Sequence, residues 1–273
     1  MKKIFKRFTL AALCVLLSTI MLSACSGNTG GGTADGSSSG GAREKLTVGT
    51  YAAFPPFEYT TTNGLVGEFD GIDIAIAKKI ADDNGMDLEI SNIEFSGLIA
   101  AINSGKIDMA IAGMTVNDER KQNVDFSVPY YVAEQVIVVA DGNTDITDAQ
   151  SLKNGKKVGV VMGYTADSIV TNDLAIDEAN IVRANRGIDI VQDVKNGKLD
   201  AVVIDSYTGK QLAEKNGLKV VEDKESFTAE EYAIAVQKGN TELLDKINNV
   251  LNEMLESGQI DELAAQYSEV EAQ

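Results

Sequence analysis

From Leu46 onward, short apolar runs alternate with amphipathic stretches. Leu46-Thr47-Val48-Gly49-Thr50 predicts a strand, and Ile72, Ile76 and Ile80, one helical turn apart, predict a helix that stops at Gly85. Met86, Leu88 and Ile90 alternate with polar residues as a strand does, 96–104 reads as a short helix with Ser96 as N-cap, and Met109-Ala110-Ile111-Ala112 reads as a buried strand. The pattern then starts again, with strands at 135–140, 157–161, 181–184, 201–204 and 218–221, a helix at 165–174, and closing helices at 241–256 and 259–267. No fixed-period repeat is visible, which argues against a solenoid. Alternation of strand and helix predicts an α/β architecture with mostly parallel sheet, in two lobes split near 130–134. Ligands of open α/β sheets collect at the carboxyl ends of strands, so a site belongs in the loops after Thr50, Ala112, Val161 and Ile204.

The first residues follow another pattern. Lys2, Lys3, Lys6 and Arg7 precede a mostly apolar stretch, 8–21, that is shorter than a membrane-spanning helix and predicts an export signal over 1–24. Leu22-Ser23-Ala24-Cys25 resembles a bacterial lipobox, which makes Cys25 the expected lipidation site and new N-terminus; two acyl chains suffice for stable anchoring. Residues 26–42 carry no apolar side chain larger than alanine, so 25–42 reads as a lipidated Cys and a flexible linker reaching about 20–25 Å. The expectation is a globular head outside the cytoplasm, held on the bacterial cell membrane by lipid alone.

Composition narrows the chemistry. The 273 residues include 24 Lys plus Arg and 41 Asp plus Glu, a formal charge of −17, which disfavours a nucleic-acid partner. Loss of the four basic residues in 1–24 would leave 20 basic against 41 acidic, or −21, and disfavours adsorption to anionic lipid. There is no His, and the only Cys are Cys14 and Cys25, which excludes His-based triads and the usual zinc sites, so no metal is expected. No GxxxxGK[ST] run occurs, which excludes a P-loop. The run beginning at Asp141 starts like an EF-hand, but Ile146 and Leu152 replace its Gly and Glu. The acid-rich run 222–231 reads as a solvated loop.

Four loops carry candidate chemistry. After the first strand, Pro55 and Pro56 stop the pairing and leave Phe54 or Phe57 near its end, either as core or, with Phe95, as an apolar clamp or cation–π site. After Ala112, Gly113 permits close backbone approach, Met114 follows, Thr115 offers a hydroxyl and Asn117 caps a helix. Arg120 then either grips a carboxylate through its fork or pairs with a neighbouring acid at the surface. Val161, Gly163 and Thr165 lead into a helix whose first N–H groups suit an anion or form an ordinary cap, and Asp205 is either a cap or a carboxylate for an ammonium group.

FPPFEY (54–59), GIDIAIAKKIA (71–81), FSGLIAAINSGKIDMAIAGMTVNDERKQNVDFSVPYY (95–131) and GKLDAVVID (197–205) together resemble extracellular solute-binding protein family 3, the polar amino-acid receptors of ABC importers. The resemblance runs from Lys45 to about Tyr267. It implies a two-lobed, periplasmic-binding-protein-like fold of type II, each lobe an open mostly parallel sheet flanked by helices. Lobe one would be 43–131 plus 235–273 and lobe two 132–234, joined by crossing strands near 130–134 and 232–235.

The function it implies is capture of a free amino acid, polar or cationic (arginine, lysine, histidine or glutamine), and delivery to a membrane permease and through it to the ATPase subunit, by a monomer with neither cofactor nor catalysis. Carried over to this chain, Phe54 stacks on the ligand with Phe95 opposite. Gly113 and Thr115, with Met114 between them, join Arg120 on the α-carboxylate; the backbone at Val161 and Gly163 and both donors of Thr165 approach from lobe two, and Asp205 holds the α-ammonium. Tyr51, also at the ligand, stands where relatives that bind cationic amino acids often carry Asp, and Ala75 replaces an acid common in the early helix. Two alternatives are a dehydratase-type enzyme on the same scaffold, for which Glu58 or Glu94 would supply proton transfer, and the ligand-sensing head of a membrane receptor.

Overall fold

A computed structural model describes residues 43–267. The expected signal peptide, the lipidation site Cys25 and the linker 25–42 lie outside the described residues.

Two sheets of five strands carry the structure. In the first, Lys45–Thr50 lies between Asp87–Asn92 and Met109–Ala110, and Ala235–Gln237 and Val124–Phe126 follow beyond. In the second, Val158–Val161 lies between Ile181–Ala184 and Ala201–Asp205, followed by Gln135–Ala140 and Leu218–Val221. Four of the five strands in each sheet run one way, and the fourth in spatial order is reversed. The reversed strands, Ala235–Gln237 and Gln135–Ala140, are those that enter a lobe just after the chain has crossed from the other. The crossings are Tyr131–Ala133 and Glu230–Tyr232, paired antiparallel with Tyr131 opposite Tyr232.

Burial explains the apolar runs. In Gln135–Ala140, Val136 and Val138 join one apolar core while Ile137 and Val139 join another; Val202 and Ile204 likewise separate from Ala201 and Val203. A strand covered on both faces reads as continuous hydrophobicity. The edge strand Asp87–Asn92 is only part-buried, and there the sequence alternates. Helix Ile72–Asp83 buries Ile72, Ile76 and Ile80, and Thr241–Ser257 and Gln259–Tyr267 return to pack against it.

Three local expectations are corrected. Ser96 is not an N-cap: a 3₁₀ turn, Phe95–Gly97, buries Phe95 before helix Leu98–Asn103 begins, which puts Ser96 inside the turn. The strand foreseen over 109–112 is confined to Met109–Ala110; Ile111 and Ala112 are equally buried, and the Ile111 N–H still donates to Gly49 O at 3.1 Å before the chain turns away toward Gly113. The helix foreseen over 165–174 is one α-turn, Thr165–Ser168, widened into a π-turn, Ile169–Asp173, with Leu174 N–H donating to Ile169 O at 2.8 Å.

Candidate functional site

The loop after Met109–Ala110 is shaped by its own sequence. Asn117 Oδ1 accepts the Arg120 N–H at 2.8 Å and starts the single turn Asp118–Lys121. So short a helix lets the Arg120 side chain fold back over the strand end, where it is only 7% exposed. Nη1 donates to Thr115 O at 2.7 Å, Nη2 donates to Gly163 O of the second lobe at 3.0 Å, and the guanidinium carbon stands 5.3 Å from the Phe95 ring centre. Burial lowers the guanidinium pKa, and Glu230 and Asp205 oppose that; an arginine here keeps its charge.

Asp205 ends strand Ala201–Asp205 at the start of helix Ser206–Asn216, but its side chain makes no capping bond. Oδ1 accepts instead from the Tyr232 hydroxyl and, at 3.1 Å, from Gln135 Nε2. The same Nε2 donates to Glu230 Oε2 at 3.2 Å, and that oxygen accepts the Thr115 hydroxyl at 3.0 Å. A hydrogen-bonded chain therefore runs from Asp205 through Gln135, Glu230 and Thr115 to Arg120 and Gly163. Burial pushes the Asp205 carboxyl up, against the bonds from Tyr232 and Gln135. Burial, then Asp205, push Glu230 up to about 7.

Gln135 and Glu230 escaped the sequence reading, and the acid-rich run 222–231 is not all solvated loop. Glu230 is drawn in because Thr115 bridges to Tyr232 and Ala233 N–H donates to Met114 O at 3.1 Å, which ties the crossing strand to the Arg120 loop. No local signal separates Gln135 from Glu134, the polar residue beside it ahead of the apolar run Val-Ile-Val-Val.

Phe54 and Phe57 stack with ring centres 5.4 Å apart. Phe57 turns into the core against Tyr131 and Tyr232, whereas Phe54 meets Tyr164 of the second lobe edge-on at 5.6 Å. Phe95 meets the same Tyr164 at 4.5 Å. The two expected rings are thus joined through a third aromatic that sequence reasoning did not single out. The Tyr51 hydroxyl donates to Asn185 O across the lobes at 2.9 Å; burial and then Glu94 push it up to about 12, so it stays a neutral donor.

Gly113 has φ +53°, and its N–H donates to Asp73 Oδ2 at 2.8 Å, an oxygen that also accepts the Tyr130 hydroxyl at 2.9 Å. Glu58, fully buried, lies beside Asp73; burial, then Asp73, hold Glu58 well above the usual carboxylate range, and burial pushes Asp73 up to about 6. Gly163 has φ +76°, and its N–H is taken by Asp167 Oδ2 at 3.1 Å, so that donor serves its own loop and the carbonyl faces Arg120. Val161 and Phe54 line one tight gap between the lobes. A cavity of about 340 Å³ is lined by Phe95, Met114, Arg120 and Gly163, and another of about 450 Å³ by Thr115, Thr165 and Glu230; Asn117 borders both. Arg120 thus lines the first cavity and Glu230 the second, Asp205 lines neither, and the buried cation and the two carboxylates are joined by the hydrogen-bonded chain through Gln135 and Thr115. Among the described residues, no cluster of three or more acidic or Cys side chains is arranged to hold a metal ion, and no helix is long and apolar enough to cross a membrane.

Comparison with known proteins identifies relatives of this chain. The chain is 33% identical over 264 residues to a "probable histidine-binding protein" of Neisseria gonorrhoeae, covering 96% of this chain and 95% of that one. It is 34% identical over 262 residues to the arginine-binding extracellular protein ArtP of Bacillus subtilis, covering 93% and 94%. Among solved structures, an ancestral arginine-binding protein bound to glutamine superposes with a TM-score of 0.74 at 41% identity, over 83% of this chain and 99% of that one. Residues 46–270 match the model of bacterial extracellular solute-binding proteins, family 3, and the chain belongs to that family.

Proposed function

We propose that this protein captures a free α-amino acid with a polar or cationic side chain between its lobes and hands it to the permease of an ABC importer, without turning it over. The observation that carries the reading is the chain of bonds linking Arg120 to Asp205, a buried cation and a buried carboxylate at opposite ends of one network. Its relatives are named for binding arginine and histidine, and the ancestral structure holds glutamine. The α-carboxylate docks on Arg120 and the Thr115 hydroxyl, Gly113 allows close approach of the backbone while its N–H is held by Asp73, and the α-ammonium docks on Asp205. Phe54, Phe95 and Tyr51 meet the side chain, and the backbone at Val161 and Gly163 and the Thr165 donors approach from lobe two. Lobe one is 43–131 plus 235–273, lobe two is 132–234, and the paired strands Tyr131–Ala133 and Glu230–Tyr232 are the hinge. Ligand favours the closed form through contacts to both lobes. Selectivity follows because a zwitterion lacking either partner would leave a desolvated charge. The head is a monomer tethered outside the cytoplasm through Cys25.

Calorimetry of Arg120→Ala against a panel of amino acids tests the reading. Loss of the buried partner costs about 3–5 kcal/mol, or roughly two to four decades in affinity. Affinity equal to that of the unmodified protein would reject it.

A further inference from the structure

The carboxylate end of the site holds more negative charge than a zwitterion needs. Under the proposed function, Arg120 is balanced by the ligand's carboxylate and Asp205 by its α-ammonium, which leaves Glu230 over. Glu230 Oε2 and Asp205 Oδ1 share one donor, Gln135 Nε2, at 3.2 and 3.1 Å. Gln135 is only 2% exposed, and its remaining polar atom, Oε1, is buried without a hydrogen-bond partner beside the two acids. A buried amide oxygen left unpaired costs free energy unless a donor arrives. Two carboxylates and an orphaned carbonyl are three acceptors in one place, and what they lack is a cationic donor.

We infer that Glu230 is a specificity-determining residue, which makes this end of the site doubly anionic and selects amino acids whose side chain carries a second positive charge over neutral ones of the same shape. The inference rests on the amino-acid reading and deepens it. A neutral ligand seals Glu230 away from water either with its charge unmatched or with a proton it must take up, whereas a cationic side chain in the same enclosed, low-dielectric space offsets that charge. The Thr115 hydroxyl, which now satisfies Glu230, becomes free for the ligand's carboxylate once a ligand cation takes its place.

L-arginine and L-citrulline have nearly the same shape and differ by one charge, so calorimetry with the pair isolates the effect. The purified protein is expected to bind arginine at least about tenfold more tightly than citrulline. In Glu230→Gln, which keeps the size and a hydrogen-bond acceptor for Thr115, that ratio falls toward one through loss of arginine affinity, with citrulline little changed; in Glu231→Gln, an exposed neighbour, it stays. A ratio near one in the unmodified protein, or a ratio unchanged in a folded Glu230→Gln, overturns the inference. The comparison in the unmodified protein needs no variant, so a misfolded Glu230→Gln leaves it decidable. Tight binding of neutral amino acids alone overturns the role of Glu230 and leaves the amino-acid reading intact, whereas binding of no amino acid at all overturns both.

Discussion

Arg120 Nη2, on the first lobe, donates to Gly163 O on the second at 3.0 Å. Its other bond is to Thr115 O at 2.7 Å, so both acceptors are neutral carbonyls and neither cancels the charge. A carboxylate arriving between the lobes would offer two anionic acceptors to the same fork. Arg120 thus touches both lobes at the point where closure and recognition would coincide.

Arg120→Lys keeps the charge and loses the planar fork. Amino-acid affinity is expected to fall by about tenfold or more while the melting temperature changes little. Calorimetry paired with thermal melts checks this, and full affinity in the lysine variant would show that point charge suffices.

Gly113→Ala should be harmful for two separable reasons. A φ of +53° costs an L-residue about 1–2 kcal/mol, and the new Cβ would stand 2.8 Å from Phe54 Cε1. A domain of this size loses roughly 2–4 °C of melting temperature per kcal/mol, so a drop of several degrees with weakened binding is expected. Thermal denaturation with and without ligand measures both.

Glu58 and Asp73 make stability depend on pH. Each carboxyl titrates higher in the folded state than in the unfolded chain, so the folded state binds more protons between the two values. The stabilising contribution is whole below about pH 4 and diminishes as pH rises. Glu58→Gln removes one of these protons and supplies a permanent donor to Asp73. Its stability relative to the unmodified protein is expected to improve from about pH 5 to about pH 8. Denaturant melts at both values check the sign, and a constant difference contradicts the pairing.

Ligand affinity should depend on pH for another reason. Glu230, up to about 7, faces Asp205, Arg120 and Tyr232, and a cation binds its ionised form. Affinity for arginine is expected to fall as pH drops from about 8 to about 6, less steeply in Glu230→Gln. Calorimetry across that range reads the slope.

Much of this site was legible because its members sit where strands end. Gly113 and Asp205 each follow a buried apolar run, and Asn117 announced the cap of the short helix that carries Arg120. Gln135, Glu230 and Tyr164 were not legible, because their roles arise from pairings between distant segments. Glu230 reaches the site only because its strand crosses beside Tyr131–Ala133, and no local pattern separates it from its exposed neighbour Glu231. Ser96 misled for a local reason, since a serine ahead of an apolar helix resembles a cap until the burial of Phe95 pulls in an extra turn. The reversed strands are likewise invisible locally, because an interior strand has the same composition in either direction.

The central claim is that both charged ends of one free amino acid are held at once. Its most direct measurement is calorimetry of the unmodified protein with L-arginine, its methyl ester and its Nα-acetyl derivative. Loss of roughly two decades or more of affinity for each blocked form is expected, because each leaves one buried charge unmatched. A methyl ester or an Nα-acetyl derivative that binds as tightly as the free amino acid would contradict it.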